Sequence, residues 1–302
     1  MSDDAASKGE GKVHRAGVVA ILGRPNAGKS TLLNELLGEK LAIVTAKPQT
    51  TRSRLLGILT LDDAQLLLLD TPGMHSGGKA LNLALNDLVD QAAADCDVAV
   101  LLVDLKTGWG DDYAELLKTL LKRRTPVLLV GNKADLPGAV NAAWPPAGVD
   151  AAHEILQISA RTGEGVGRLL ATLVKILPEA PALYPEDQIS DRPMRFLAAE
   201  LVREAAMEVL SQEIPYSLAV DVVEYKEDRP GLTRIRADLL VERATQKQIV
   251  IGTGGAVIKK IGIRARREIE KRVEQKVHLE LWVKVEPKWS KRPKRLKSLG
   301  YS

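Results

Sequence analysis

One cysteine, Cys96, stands in 302 residues, so neither an internal disulfide nor a paired-cysteine metal site can form. Histidine is scarce as well: there are four, scattered, with no HExxH, which argues against a zinc enzyme. Aromatics number one Phe, four Trp and five Tyr, so Leu, Val, Ile and Ala must fill the cores. Long hydrophobic runs are missing. VAVLLV (98–103) is among the longest and falls well short of the roughly 20 residues of a membrane span. The opening MSDDAASKGEGKVHR is polar and partly acidic, unlike a secretory signal or transit peptide, and residues 1–14 read as a disordered lead-in. What remains is ordinary globular composition, 45% hydrophobic and 27% charged, in a chain expected to be cytoplasmic and too long for one core.

Charge is unevenly distributed. Residues 1–190 carry 19 Lys/Arg and 23 Asp/Glu, a net of −4, whereas residues 191–302 carry 24 and 16, a net of +8. Residues 247–302 alone hold 16 Lys/Arg against 5 Asp/Glu, a net of +11. A basic final third suggests a polyanion-binding unit attached to something else. A solvated helix face with a loose tail is the plainer alternative.

Through residue 180, short apolar runs alternate with helical patterns. The runs are 17–22, 55–60, 65–70, 97–104, 126–131 and 153–159; the helical stretches are 29–37, 79–93, 111–123 and 164–177. This order predicts an α/β domain over 15–180, with a mixed, mostly parallel sheet and helices on both faces. Prolines at 178, 181, 185 and 193 then break any helix, and 181–193 reads as a linker. A second, α+β domain follows over 194–287: a helix (194–210), two strands (217–225, 232–241), two helices (246–251, 256–272) and a strand (277–286). Residues 288–302 form a basic tail in this reading.

Gly23-Arg24-Pro25-Asn26-Ala27-Gly28-Lys29-Ser30, continued by Thr31, matches G-x-x-x-x-G-K-[ST] between a predicted strand and a predicted helix. Its glycines let successive backbone N–H groups face phosphate oxygens, and the helix N-terminus favours anions. Lys29 can reach the β- and γ-phosphates, and the Ser30 hydroxyl can bind Mg²⁺. Asp70-Thr71-Pro72-Gly73 ends the strand 65–70, at the sheet edge where α/β ligands bind. There Asp70 can hold Mg²⁺ through water and the Gly73 N–H can meet the γ-phosphate. Asn132-Lys133-Ala134-Asp135 ends the strand 126–131. The Asp135 carboxylate can accept both N1–H and N2–H of guanine, a donor pair that adenine lacks. Ser159-Ala160 offers a backbone N–H to guanine O6.

GRPNAGKST, PQTTR, DTPG, NKAD and SA resemble the G1–G5 motifs of bacterial translation-factor-class GTPases, and the NxGKS P-loop resembles the TrmE-Era-EngA-like family. The resemblance implies GTP/GDP and Mg²⁺ as ligands, a mobile switch I at 40–54, and Thr51 as a Mg²⁺-binding threonine, with Thr50 the fallback. Lys29, Thr51 and Gly73 are then the candidate catalytic groups. Met74 stands where a water-orienting glutamine follows DxxG in Ras-type enzymes; a thioether cannot position water by strong hydrogen bonds, and the relatives also place an apolar residue there. Asn26 has two readings: a K⁺ ligand, as TrmE-like relatives imply, or a plain turn residue.

In the second domain, Gly252-Thr253-Gly254-Gly255 lies between two helical patterns, the first opening with a capping box from Thr245 to Gln248. Helix–GxxG–helix, with Ile258, Ile261 and Ile269 as core positions, resembles a type II KH module, whose GxxG loop clamps nucleic-acid backbone. A helix hairpin used only for packing is the alternative. Relatives often carry Lys inside this loop; here Thr253 and Gly254 stand there, so cationic contact falls to Lys259, Lys260, Arg264 and the tail. One GTPase domain followed by a KH domain resembles the Era branch of the family; two-GTPase EngA-like and inserted TrmE-like chains fit worse. The resemblance implies GTP hydrolysis in maturation of the small ribosomal subunit, with the KH domain near the 3′ end of 16S rRNA, no DNA partner and a monomeric state. Two alternatives stand: a GTPase peripheral to anionic membrane at the inner face of the cell membrane, using the basic segment on lipid, and a binding switch with negligible hydrolysis.

Overall fold

The computed structural model describes residues 14–45, 47, 50–73, 80–139, 144–211 and 213–301. The expected lead-in lies outside them except for His14, as does Met74.

The first domain is built on β1 (Arg15–Leu22), β2 (Leu55–Thr60), β3 (Ala64–Asp70), β4 (Val98–Asp104), β5 (Val127–Asn132) and β6 (Glu154–Gln157), in the order β2-β3-β1-β4-β5-β6. Only β2 runs antiparallel to its neighbour. Strand periodicity of two sorts the side chains between two cores. Val19, Ile21, Val98, Val100 and Leu102 pack with α1 (Lys29–Leu37) and α4 (Val166–Ile176). Ala20, Leu22, Ala99, Leu101 and Val103 pack with α2 (Ala80–Asp95) and α3 (Asp111–Lys122) on the other face. Because both faces are covered, these strands are continuous apolar runs. α3 carries Asp111 and Asp112 in its first turn and Lys122 in its last, each sign matched to the helix dipole.

The second domain runs α5 (Met194–Val209), β7 (Ala219–Arg229), β8 (Leu232–Val241), α6 (Ala244–Ile251), α7 (Ala256–Val273) and β9 (Lys276–Val285). β8 pairs antiparallel with β7 and parallel with β9. This order is the type II KH arrangement. Ile261 and Ile269 of α7 are fully buried with Val202 and Ala206 of α5 and with Ala237 and Leu239 of β8. Ile258, expected in the core, is only partly buried at its edge. The expected capping box does not form either: α6 begins before Thr245, and Gln246 Oε1 accepts from the N–H groups of Glu242 and Arg243 (2.9 and 3.0 Å).

Both connecting segments are packed against the domains they adjoin. Residues 183–190 of the linker are strapped to the GTPase-like domain. Buried Gln65 accepts from Leu183 N and Tyr184 N (2.7 and 2.9 Å), Ile189 O accepts from Ile58 N (2.9 Å), and Ser190 Oγ donates to Leu56 O (2.7 Å). Covering the edge strand β2 satisfies backbone groups that would otherwise be open to pairing. Within the basic end segment, residues 289–301 are folded. A 3₁₀ turn (Trp289–Lys291) and α8 (Pro293–Ser298) bury Trp289, Leu296, Leu299 and Tyr301 against Ala219 and Leu240. Apolar burial at four positions outweighs the solvation of the intervening lysines and arginines, which remain on the surface.

Candidate functional site

The P-loop between β1 and α1 opens on a cavity of about 410 Å³, lined by Asn26, Gly28, Lys29, Ser30, Thr50, Thr51, Gly73 and Lys133 among others. Gly73 is required by close approach: a Cβ there would lie 2.4 Å from Pro25 N. Lys29 Nζ is buried and donates to the carbonyls of Gly23 and Arg24 (3.1 and 2.9 Å). Burial pulls its ammonium from 10.5 down to about 8, and the nearby Asp70 carboxylate only partly opposes this. Arg24 points away from the cavity, paired with Asp112 of α3 (2.5 Å). Asn26 is exposed and left-handed, with φ 62°, as a turn asparagine can be.

Ser30, Thr51 and Asp70 converge as expected. Ser30 Oγ donates to Asp70 Oδ2 at 2.7 Å and lies 2.9 Å from Thr51 Oγ1, which is 3.3 Å from the same Asp70 oxygen. The other carboxylate oxygen, Asp70 Oδ1, is buried without a hydrogen-bond partner. Burial raises the Asp70 pKa, against the lowering effect of Ser30, Lys29 and Thr51. Two hydroxyl oxygens beside an under-satisfied buried carboxylate, three hard donors in all, suit Mg²⁺. Thr50 takes no part in this cluster: its hydroxyl donates to Lys47 O and meets Thr45 Oγ1.

The base-side motifs also come together. Asn132 Nδ2 donates to Ala27 O (2.7 Å), tying the strand end to the P-loop. Lys133 Nζ pairs with Asp104 (2.8 Å). Ser159 Oγ donates to Asp135 Oδ1 (2.7 Å), and Arg161 lies 3.5 Å from Asp135 Oδ2. The Ala160 N–H donates to Asn132 Oδ1 (2.9 Å), so receiving a base carbonyl there means sharing or exchanging that bond.

In this structure several residues of the expected switch I meet the second domain. Lys40 is tied to Glu204 and Glu268 (2.7 and 3.3 Å), Val44 N to Glu204, and Lys47 Nζ to the carbonyls of Met207 and Leu210. The sequence gives no sign of these contacts, nor of buried Arg52 and Arg203.

At the second domain, Gly252 has φ 73°, and a Cβ there would meet Val257 Cγ2 at 2.4 Å. Beside the loop lies a groove of about 300 Å³ between α7 and β9, lined by Ile258, Lys259, Gly262, Ile263, Arg266, Leu279 and Leu281. Arg266 was not among the candidates, although it lies seven residues, two helical turns, after Lys259. Arg264 is corrected: it pairs with Glu208 of α5 (2.6 Å) and lines a different pocket with Lys40 and Arg267. Lys260, four residues before it, shares that flank.

Comparison with known proteins agrees with this layout. The family described as "50S ribosome-binding GTPase" matches residues 18–133, and the family described as "KH domain" matches 213–290. Curated relatives called GTPase Era include one from Ectopseudomonas mendocina, 46% identical over 96% of this chain and 98% of its own. Another, from Nitratidesulfovibrio vulgaris, is 44% identical over 96% and 97%. A crystal structure of Era with MgGDPNP and nucleotides 1506–1542 of 16S ribosomal RNA superposes with a TM-score of 0.89, at 39% identity over 96% of this chain and 99% of that one. An Aquifex aeolicus Era variant bound to GDP and AlF4⁻ gives 0.87, at 38% identity over 95% and 99%.

Proposed function

Because the chain belongs to the Era family of GTPases, we propose that it couples GTP hydrolysis to binding of 16S rRNA near its 3′ end, in the cytoplasm, during maturation of the small ribosomal subunit. The observation that carries this reading is the presence, in one chain, of the Ser30–Thr51–Asp70 cluster behind a P-loop and of a GxxG-flanked groove. The similar Era structure bound to MgGDPNP and to nucleotides 1506–1542 of 16S ribosomal RNA supports it.

The residues divide the work by their chemistry. In the P-loop from Gly23 to Thr31 the backbone N–H groups, which Pro25 lacks, cradle the phosphates, and Lys29 supplies a buried positive charge to the β- and γ-oxygens. Ser30, Thr51 and Asp70 would hold Mg²⁺, which neutralises charge developing on the phosphates. The Gly73 N–H meets the γ-phosphate; Thr71 holds the Thr71-Pro72-Gly73 turn against β1, its Oγ1 donating to Ile21 O (2.8 Å). Asp135, oriented by Ser159, selects guanine, and Asn132 locks the base side to the P-loop. In the second domain Gly252–Gly255 admit an RNA backbone, with Lys259 and Arg266 beside it.

Replacing Gly254 and Gly255 by Asp tests the RNA half. A Cβ at Gly254 meets nothing within 4 Å, and at Gly255 only Ile258 at 4.0 Å, so the fold should persist despite the left-handed cost of roughly 1–2 kcal/mol each. The variant should lose 16S 3′-end RNA and any RNA-stimulated turnover while keeping basal GTP hydrolysis. Parental RNA affinity would make the loop structural. Binding to anionic vesicles that survives the substitutions would favour the peripheral-membrane alternative.

A further inference from the structure

Thr51 is flanked on both sides by anchors in the other domain. The Thr50 carbonyl accepts from Arg203 Nη2 of α5, a fully buried guanidinium also bonded to Glu200. Arg52, 0% exposed, donates Nη1 to Leu218 O at 2.7 Å and Nη2 to the carbonyls of Pro215 and Tyr216, both at 3.0 Å. Its guanidinium carbon lies 5.8 Å from the ring centroid of Tyr301, which is 2% exposed in the small core formed with Trp289, Leu296 and Leu299. Neighbouring side chains thus diverge: Thr51 reaches toward Asp70, and Arg52 is sunk into the KH side.

This seat is an unusual place for an arginine. Among the described residues no carboxylate forms an ion pair with Arg52, and its Nε is buried without a hydrogen-bond partner. Removing a guanidinium from water without a paired counter-ion is costly, and the compensation visible here is three carbonyls, the ring and hydroxyl of Tyr301, and the more distant field of Glu200. A seat of this kind is sensitive to small changes in its walls, of which the 289–301 segment supplies the aromatic one.

We infer that Tyr301, with the segment that carries it, is a positioning element for GTP hydrolysis: by seating Arg52 it fixes Thr51 beside Ser30 and Asp70, so the γ-phosphate side of the nucleotide site is complete only when residues 289–301 are docked. The inference rests on the reading of Thr51 as a Mg²⁺ ligand. Ordering a loop costs conformational entropy for every residue fixed, and anchors either side of Thr51 offset that cost before nucleotide arrives. A contact serving only the GTP state should discriminate between nucleotides, whereas general stabilisation of the fold should not.

The test uses the full chain and compares the affinities of MgGDP and MgGDPNP, with trypsin cleavage after Arg52 in the MgGDPNP complex as a second readout. Tyr301→Ala should weaken MgGDPNP about tenfold relative to MgGDP and speed that cleavage, whereas Tyr301→Phe, which keeps the ring face and gives up the hydroxyl beside Arg52, should show a smaller loss of the same kind. Arg52→Lys, which keeps the charge but loses the fork, should reproduce the selective loss even if Tyr301→Ala folds poorly. Equal weakening of both nucleotides, or an unchanged ratio with parental protection, would overturn the positioning role. Thr51→Ala separates the two readings. An unchanged ratio in that variant refutes Thr51 as the metal ligand and the route through Tyr301 with it. Selective loss in Thr51→Ala but in neither Tyr301→Ala nor Arg52→Lys refutes the positioning role alone.

Discussion

Nucleotide binding should draw a proton onto Lys29. In the free protein the buried ammonium titrates at about 8 instead of 10.5, because Asp70 and two carbonyls compensate only part of its desolvation. The gap of 2.5 corresponds to about 3 kcal/mol between the two protonation states. Between pH 8 and 10.5 the folded chain holds fewer protons at this site than the unfolded chain, so the Lys29 contribution to stability rises with pH through that window and is flat below it. Phosphate reverses the preference, since an anion beside Nζ favours the charged form. Uptake at this site should therefore be about 0.1 proton per nucleotide at pH 7, about 0.5 at pH 8 and about 0.9 near pH 8.8. Affinity for MgGDP should fall progressively above pH 8. Calorimetric titration of MgGDP in two buffers of different ionisation enthalpy measures the uptake directly, below the range where guanine N1–H titrates. Uptake that stays flat from pH 7 to 8.8 would show Lys29 charged throughout and refute the electrostatic description of the P-loop.

Two further outcomes test other parts of the nucleotide site. Asp135→Asn turns one acceptor of the pair into a donor facing guanine's own donors, so GTP affinity should drop on the order of a hundredfold while XTP binding rises; equilibrium binding of both nucleotides decides it. If the side-chain oxygen of Asn26 serves a K⁺ ion, hydrolysis should run faster in KCl than in NaCl at equal ionic strength, and Asn26→Ala should level the two rates; equal rates in the parent leave Asn26 as a turn residue.

Much of the nucleotide site was legible because its chemistry sits at strand ends. Strands buried on both faces are unbroken apolar runs, so Asp70 and Asn132 announce themselves as the polar residues where β3 and β5 stop. The α6–GxxG–α7 unit was readable from its glycines for a similar reason. The anchoring of switch I was not, because Arg52 and Arg203 meet partners more than 150 residues away and an arginine in a sequence reads as exposed. The folded end segment could have been found: Leu296 and Leu299 are one turn apart, Pro293 opens the helix and Gly300 follows it, as helix ends favour. A run of six Lys/Arg in ten residues concealed that pattern.

The strap along β2 sets the kinematics of the molecule. With Leu183, Tyr184, Ile189 and Ser190 pinned to the first domain, the span left before α5 begins is Asp191–Pro193, at most about 10 Å when fully extended. Within that span Arg192 donates to Arg54 O (2.7 Å) and lies over the Phe196 ring. A chain joined this way swings about a pivot instead of roaming on a leash. A span this short makes relative motion of the domains a rotation centred beside the end of switch I, and such a rotation would also have to break or carry with it the pairs of Glu39 with Arg272 and Lys40 with Glu268.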